Sequence, residues 1–170
     1  MMELTAVQGD ITTQRVTAIV NAANERMRGG GGVDGAIHRV AGPALLRELV
    51  QRFPDGLPTG QAGWSHGFDL VAPYVIHVVG PIFDGSGANR HQLESCYVRA
   101  LGVADELIAE HGIDDFSMAF PLVSAGVYGW PKDDAIRCAV DTIRSTPTHV
   151  TTATLVAFDH STLTRIEAAL

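Results

Sequence analysis

The chain has 170 residues, of which 46% are hydrophobic and 18% are charged, and its formal net charge is −7. This length and hydrophobic content predict one folded domain over residues 1–170 and exclude intrinsic disorder. The acidic balance argues against extended nucleic-acid binding through a basic surface, although backbone amides can still bind one phosphorylated ligand.

Hydrophobic periodicity predicts strands and helices that alternate along the chain. Alternating or continuous apolar residues indicate the strands, and apolar residues that recur every three or four positions indicate the helices. In chain order, strands are predicted at residues 2–8, 18–20, 61–65, 74–79, 116–123 and 152–158, and helices at residues 36–41, 44–50, 93–108, 131–145 and 163–170. This alternation is typical of an α/β sheet with helices on both faces.

The loops that follow the predicted strands are rich in polar residues and glycine. Four such segments are residues 9–10, 21–35, 124–130 and 158–159. Because α/β sheets bind ligands at the carboxyl ends of their strands, these segments are expected to surround the ligand.

The first glycine loop contains five of the 18 glycines, at positions 29, 30, 31, 32 and 35. It formally matches GxGxxG, but eight residues separate it from the preceding strand, and the acid at the required distance, Asp55, lies in a connector. The dinucleotide-binding interpretation is therefore rejected. A bare backbone that leads into a helix still offers N–H donors and a positive dipole end, which suit a phosphate or a sugar oxygen. A flexible loop without a ligand explains the glycines equally well.

A second glycine-bearing loop, residues 124–129, joins a buried strand to the helix that begins near Pro131. Two anion-binding loops at one edge of a sheet suit a diphosphate better than a monophosphate. The alternative is a pair of ordinary strand-to-helix turns.

Candidate catalytic and sugar-binding side chains flank the first glycine loop. Asn21 and Asn24 follow a buried strand, where their amides can bind ribose hydroxyls or stabilise a turn. Asp34 and His38 stand four positions apart on one helix face, where Asp34 can orient a hydroxyl or a water and His38 can position it. The alternative is a helix-capping aspartate and a structural histidine.

Asp10 and Phe158 each follow a predicted strand. The Asp10 carboxylate can accept a hydrogen bond from an exocyclic amine such as that of adenine, and Phe158 can stack on a base. A turn aspartate and a core phenylalanine are the alternatives.

Neither a metal site nor a covalent nucleophile is predicted. Cys96 and Cys138 lie far apart without a histidine at ligand spacing, and both are expected to be buried on helices. His77 is expected to be half buried and without a role. The sequence shows no secretory leader and no apolar run of membrane-spanning length, so a cytoplasmic protein without a cofactor or membrane contact is expected.

Six stretches, in order along nearly the whole chain, resemble the macrodomain family, specifically its branch of MacroD-type ADP-ribosyl hydrolases. They are residues 9–12 (GDIT), 19–24 (IVNAAN), 29–38 (GGGGVDGAIH), 58–60 (PTG), 74–81 (YVIHVVGP) and 120–131 (FPLVSAGVYGWP). The resemblance implies a three-layer α/β/α sandwich around a mixed sheet, with ADP-ribose as the ligand.

The resemblance also implies a role for each matching residue. Asn24, Asp34 and His38 are the implied catalytic residues. Asp10 resembles the acid that binds the adenine amine, with Ile11 beside it, and Phe158 resembles the aromatic residue packed on adenine. The residues implied to contact the diphosphate and the distal ribose are Gly30, Gly31, Gly32, Val33, Ser124, Ala125, Gly126, Val127 and Tyr128.

Two departures from the family pattern bear on the ligand. Ala125 stands where the branch usually has threonine, so one hydroxyl contact is lost, which should affect affinity more than chemistry. Arg26 and Arg28 lie close to the first glycine loop, where the family has varied residues, and the sequence leaves their role open.

The resemblance implies a metal-independent hydrolase that removes mono-ADP-ribose from acidic side chains of modified proteins or deacylates O-acetyl-ADP-ribose. A water between the diphosphate and Asp34 is expected to attack the distal ribose, with Asp34 and the substrate phosphate as alternative proton acceptors. A reader that binds ADP-ribose without turnover is the main alternative, although readers tend to lack the Asn–Asp pair. A modified nucleic-acid base or ADP-ribose 1″-phosphate is a narrower alternative, and a monomer is expected.

Overall fold

The computed structural model describes residues 2–170. Within these residues, six strands form one sheet: β1 (Glu3–Gln8), β2 (Ala18–Ala23), β3 (Ala62–His66), β4 (Tyr74–Val79), β5 (Ser117–Phe120) and β6 (Thr152–Ala157). The α-helices are α1 (Gly32–Ala41), α2 (Pro43–Arg52), α3 (Arg90–His111), α4 (Lys132–Ser145) and α5 (His160–Ala169). A short 3-10 turn, Ile11–Thr13, follows β1.

The sheet has the strand order β1-β6-β5-β2-β4-β3. All neighbouring strands are parallel except β3, which pairs antiparallel with β4 at one edge. Five strands therefore share one carboxyl edge, and the sheet is mixed, as the resemblance implies.

Two apolar clusters place the helices on opposite faces of the sheet. Ile19 and Val75 pack with residues of α1 and α2, whereas Val20 and Ile76 pack with residues of α3, α4 and α5. Successive strand residues point to opposite faces, so one short strand serves both clusters. The expected three-layer α/β/α sandwich is confirmed. Within residues 2–170, none of these helices is both long and apolar enough to cross a membrane.

Three element boundaries differ from the predictions in ways that matter for the site. β2 continues to Ala23, so Asn21 lies inside the strand and not at its end. β5 ends at Phe120 and not at residue 123, because Pro121 has no N–H to donate to a sheet ladder. α1 begins at Gly32, four residues before the predicted start, because glycines contribute no hydrophobic periodicity.

The two cysteines are free and buried on α3 and α4, as expected. Burial raises the pKa of the Cys96 thiol to about 12 and that of the Cys138 thiol to about 11. Because a thiolate is the nucleophilic form of cysteine, both residues are structural.

Candidate active site

A cavity of about 370 Å³, here called the central cavity, lies at the carboxyl edge of the sheet over β5, β2 and β4. Its walls are the end of β2, the glycine loop that leads into α1, and the loop after β5. The lining comprises residues 22–24, 30–34, 80, 121–124 and 126–128. No lysine or arginine within residues 2–170 belongs to this lining. Its position is the one predicted from the loops and is usual for ligands of α/β sheets.

Asp34 lies in the first turn of α1 and lines the central cavity, with only 5% of its surface exposed. The positive end of the helix dipole stabilises its negative charge. Asn21 Nδ2 donates a hydrogen bond to Asp34 Oδ1 at 2.8 Å. The other carboxylate oxygen, Asp34 Oδ2, faces Gly30. A Cβ atom placed on that glycine would lie only 3.2 Å from Oδ2.

A buried chain of hydrogen bonds runs from β3 to Asp34. Ser65 Oγ lies 2.8 Å from His77 Nε2, and His77 Nδ1 lies 3.1 Å from Asn21 Nδ2. All three side chains belong to residues that are fully buried. Strand register sets the second contact, since Asn21 of β2 stands opposite His77 of β4.

One pattern of donors accounts for the contacts of this chain and leaves only Asn21 Oδ1 among its buried side-chain atoms without a partner in residues 2–170. Asn21 Nδ2 carries two hydrogens and donates to Asp34 and to His77, so His77 Nδ1 accepts and the imidazole is neutral. His77 Nε2 then donates to Ser65 Oγ, whose hydroxyl donates to the carbonyl of His66 at 3.2 Å. Burial lowers the pKa of His77 to about 3, which agrees with a neutral ring.

Asn21 and His77 therefore have roles that differ from those predicted. The Asn21 side chain is fully buried and is absent from the cavity lining within residues 2–170, so a contact with Asp34 replaces the predicted contact with the ligand. His77 is fully buried and not half buried, and it supports Asn21. The sequence carried a signal for this role, since His77 shares one face of its strand with Val75 and Val79 and is therefore expected to be buried. A buried imidazole needs a hydrogen-bonding partner.

His38 lies one helical turn after Asp34, as its spacing predicts. Its Nε2 is 3.4 Å from Asp34 Oδ1, but the pair does not have hydrogen-bond geometry, and Nε2 has no partner in residues 2–170. The ring packs beside Gly29, where a Cβ atom would lie 3.7 Å from it. His38 thus contacts Asp34 and the glycine loop from behind the cavity wall.

Asn24 follows β2 directly and lines the cavity beside Asp34. Its Nδ2 donates to the carbonyl of Gly29 at 3.1 Å, and its Oδ1 accepts from the amide of Arg26 at 3.1 Å. A Cβ atom on Gly30 would lie 3.3 Å from Asn24 Nδ2 as well as close to Asp34 Oδ2. The Asn24 carboxamide and the Asp34 carboxylate therefore both approach the backbone of Gly30, which has no side chain between them.

The glycine loop packs closely against α1. A Cβ atom on Gly35 would lie 2.6 Å from the carbonyl oxygen of Gly30, a distance that no side chain tolerates. Gly29 and Gly32 adopt φ angles of 91° and 59°, in the region that favours glycine. The first amides of α1 have no partner within the helix, so they are available to an anion in the cavity.

The loop after β5 forms the opposite wall of the cavity. Ser124 has a φ angle of 65°, and its Oγ donates to the carbonyl of Pro81 at 2.7 Å, which fixes the loop on the end of β4. The amide of Trp130 closes the loop by donating to the carbonyl of Ser124 at 2.9 Å. Val127 is 96% exposed at the rim, where a ligand can cover it. Ala125, which the resemblance implies as a ligand contact, is partly buried against the core and lies outside the cavity lining described for residues 2–170.

Asp10 and Phe158 lie beside each other at the far end of the carboxyl edge. The amide of Gly9, after β1, donates to the carbonyl of Ala157 in β6 at 3.0 Å. Asp10 Oδ1 accepts from the amide and the hydroxyl of Thr12 at 2.9 and 2.7 Å, so Oδ2 remains available. Phe158 is 93% exposed, which excludes a core role and leaves its ring open for stacking.

The central cavity brings together most of the predicted residues. Those that line it are Asn24, Gly30, Gly31, Gly32, Val33, Asp34, Ser124, Gly126, Val127 and Tyr128. Asn21 and His38 lie behind Asp34, whereas Ile11 is buried under the sheet edge next to Asp10. Sequence reasoning missed Ser65, His77 and the contributions of Gly80 and residues 121–123.

Arg28 has a structural role. Its guanidinium donates to the carbonyls of Arg26 and Met27 at 3.1 Å, and to those of Phe53 and Pro54 at 3.0 and 3.1 Å. These bonds tie the segment before the glycine loop to the connector after α2.

Comparison with known proteins gives a match to the family model described as Macro domain, over residues 20–139. A macro domain-containing protein of Streptomyces coelicolor is 49% identical over 163 residues, covering 94% of this chain and 93% of that protein. One from Streptomyces nogalater is 48% identical over 163 residues, covering 94% and 87%. The human ADP-ribose glycohydrolase MACROD2 is 48% identical over 139 residues, which are 81% of this chain and 31% of that protein.

Solved structures agree with the sequence relatives. The Trypanosoma brucei macrodomain in complex with ADP-ribose has a TM-score of 0.85 and 37% identity, with 98% of this chain and 68% of that chain covered. A mutant Oceanobacillus iheyensis macrodomain with ADPR has a TM-score of 0.83 and 35% identity, with 96% and 89% covered. By sequence and by fold, the chain belongs to the macrodomain family.

Proposed function

We propose that this protein is a hydrolase that releases ADP-ribose from acidic side chains of mono-ADP-ribosylated proteins and deacylates O-acetyl-ADP-ribose. The observation that carries the proposal is the convergence of Asn24 Nδ2 and Asp34 Oδ2 on the bare backbone of Gly30. A general base must lie within reach of the proton that it takes, and Asp34 is a buried carboxylate that Asn21 holds at the cavity wall. The similarity to the human ADP-ribose glycohydrolase supports the same class of reaction.

The arrangement of the carboxyl edge suggests how ADP-ribose would lie. Adenine would stack on Phe158 near Asp10, at the ends of β1 and β6. The diphosphate would then lie between the glycine loop and the loop after β5, where backbone amides replace cationic side chains. This order brings the distal ribose to Asn24 and Asp34, at the end of β2.

The proposed reaction transfers one water to the distal ribose. The water oxygen forms a bond to C1″ while the bond between C1″ and the ester oxygen breaks, so the substrate side chain leaves as a carboxylate. The proton of the water passes to Asp34 Oδ2 or to a diphosphate oxygen. Asp34 Oδ1 already accepts from Asn21, so Oδ2 is the oxygen that faces the reaction. The same attack releases an acyl group carried on the 1″ oxygen.

Hydrolysis of a glutamate-linked ADP-ribosylated protein in H₂¹⁸O tests the proposal. We expect free ADP-ribose and a glutamate carboxylate without ¹⁸O, because the water attacks C1″. Label in the glutamate would show attack at the acyl carbon and would contradict the mechanism. Calorimetric binding of ADP-ribose without any release over hours would instead identify a reader.

A further inference from the structure

A second cavity, of about 340 Å³, adjoins the central cavity and shares Asn24, Gly80 and Tyr128 with it. It lies between the segment that follows β2, the end of β4 and the start of α3. ADP-ribose has no evident use for this space, since the predicted adenine, diphosphate and ribose positions all lie on the other side of Asn24.

The order of the strands places the second cavity at the reacting end of the ligand. Along the carboxyl edge, β1 and β6 come first, β5 and β2 follow, and β4 comes last before β3. An ADP-ribose that runs from Phe158 to Asn24 therefore points its C1″ atom toward β4. Whatever is bonded to C1″ must continue into the space over β4 and α3.

Hydrogen bonds within the walls show that the second cavity is preformed. Asn89 Nδ2, just before α3, donates to the carbonyl of Ile82 at 2.8 Å, which closes the intervening loop. The amide of Phe83 donates to the carbonyl of Tyr128 at 2.9 Å, which joins this loop to the wall shared with the central cavity. Arg28 fixes the opposite wall through the carbonyls of residues 53 and 54.

The chemistry of the lining suits a polypeptide. Gln92 and Thr59 offer an amide and a hydroxyl that can bond to peptide groups, and Ile82, which is 65% exposed, offers apolar surface. Arg26 is exposed, and its guanidinium makes no hydrogen bond or ion pair in residues 2–170. A nucleic acid would instead favour several cations and stacking rings, whereas this lining has one arginine, beside Glu25, and one aromatic residue.

We infer that the second cavity binds the polypeptide of the modified protein, with Arg26 and Gln92 contacting residues that flank the ADP-ribosylated side chain. The inference rests on the proposed function for the direction of the ligand. The acceptor is a peptide, and the Arg26 guanidinium favours acidic residues near the modified position.

Binding to a hydrolysis-resistant probe tests this inference separately from turnover. The probe is a peptide that carries ADP-ribose through an amide in place of the ester, with acidic flanking residues. The protein should bind the probe about tenfold more tightly than free ADP-ribose, and the double variant Arg26→Ala/Gln92→Ala should lose this preference. Its affinity for free ADP-ribose, and its turnover of O-acetyl-ADP-ribose, should stay within about twofold of the parent values.

Arg99→Ala is the matched control, because Arg99 is exposed on α3 and lies outside the lining of the second cavity. It should leave both affinities unchanged. Equal affinity of the parent for probe and ADP-ribose, or a stronger preference for an ADP-ribosylated oligonucleotide, would overturn the inference. A peptide preference in a protein that hydrolyses no ester would overturn the proposed function and leave the peptide site standing.

Discussion

The Asp34 carboxylate lies in a cavity wall that, within residues 2–170, contains no lysine or arginine. The helix dipole and the Asn21 amide stabilise its negative charge. The Asp34 carboxylate sets the orientation of the Asn21 amide, because a flipped amide would turn its oxygen toward Asp34 Oδ1, and His77 Nδ1 accepts from the second amide hydrogen. His77 thus helps to hold Asn21 against Asp34, although it does not belong to the cavity lining within residues 2–170.

Replacing His77 by leucine tests this support of Asp34. The change leaves the buried Asn21 N–H and Ser65 hydroxyl with fewer partners, so we expect a loss of about 1–3 kcal/mol in the free energy of unfolding. The rate of ADP-ribose release should fall about tenfold through misplacement of Asp34, with the affinity for ADP-ribose nearly unchanged. Denaturant unfolding, calorimetry and release kinetics measure the three quantities. His77→Gln, which keeps an acceptor, should recover part of the rate, and an equal loss of rate and affinity would point to a merely structural role.

The low pKa of His77 also predicts how stability depends on pH. The pKa of this imidazole is about 3 in the folded protein and 6.5 in an unfolded chain. Between these values the unfolded state binds one proton more, so stability is lost as the pH falls below 6.5. The contribution approaches about 1.4 kcal/mol per pH unit. Urea unfolding from pH 7 to pH 5 should show a shallower slope for His77→Gln than for the parent, and identical slopes would refute the assignment.

At this scale the sequence predicted the residues that line the cavity better than the residues that support them from behind. Their spacing around the glycine loop made Asn24 and Asp34 candidates, and the resemblance to the macrodomain family favoured them over a turn asparagine and a helix-capping aspartate. The contact between Asn21 and His77 depends on the register of β2 against β4, which joins residues 56 positions apart. Hydrophobic periodicity carries no information about such a pairing.

At the scale of elements, the unit from β2 to α1 shapes the site. Asn24 follows the end of β2, the glycine loop connects it to α1, and Asp34 lies in the first turn of α1. The close approach of Gly35 to the carbonyl of Gly30 holds the helix against the loop. Periodicity predicted both the strand and the helix, but it placed the helix start too late, since glycine has no side chain to mark a face.

Gly35→Ala should therefore damage ligand binding. The added Cβ would meet a backbone oxygen at 2.6 Å, so α1 and the loop must separate. We expect at least about a tenfold loss of ADP-ribose affinity and about 1–3 kcal/mol of destabilisation, measured by calorimetry and unfolding.

Gly102→Ala in α3 is the control for Gly35→Ala, because a Cβ there meets nothing within 4 Å. It should leave affinity intact and add about 0.5–1 kcal/mol of stability. Similar losses in both variants would argue against a role for the close approach.

At the scale of the whole molecule, an acidic protein with a net charge of −7 is proposed to bind an anionic ligand. Backbone amides and helix ends make this possible, because their partial charges act at contact distance while the surface field is screened by salt. The excess of glycine and the acidic composition are thus both consistent with an anion site built from backbone amides. Composition left this local mode of binding open, and the positions of the two glycine loops predicted it. Neither could reveal the second cavity, which forms between segments distant in the sequence.

This mode of binding predicts an unusual salt dependence. If amides hold the diphosphate, ADP-ribose affinity should change by less than about threefold between about 0.05 and 0.5 M NaCl. The change should be a slight tightening, as salt screens the repulsion between ligand and protein. Calorimetry across this range measures it, and a tenfold weakening would indicate that arginine side chains bind the phosphates instead.

The catalytic assignment of Asp34 is tested most directly by Asp34→Asn, assayed for both binding and release. Asparagine keeps the shape of the side chain and can still accept from Asn21, but it cannot take a proton from water. We expect ADP-ribose affinity within about threefold of the parent and release from a glutamate-linked substrate slowed at least about 100-fold. A variant that folds, binds ADP-ribose and releases it from the modified protein as fast as the parent would contradict the account.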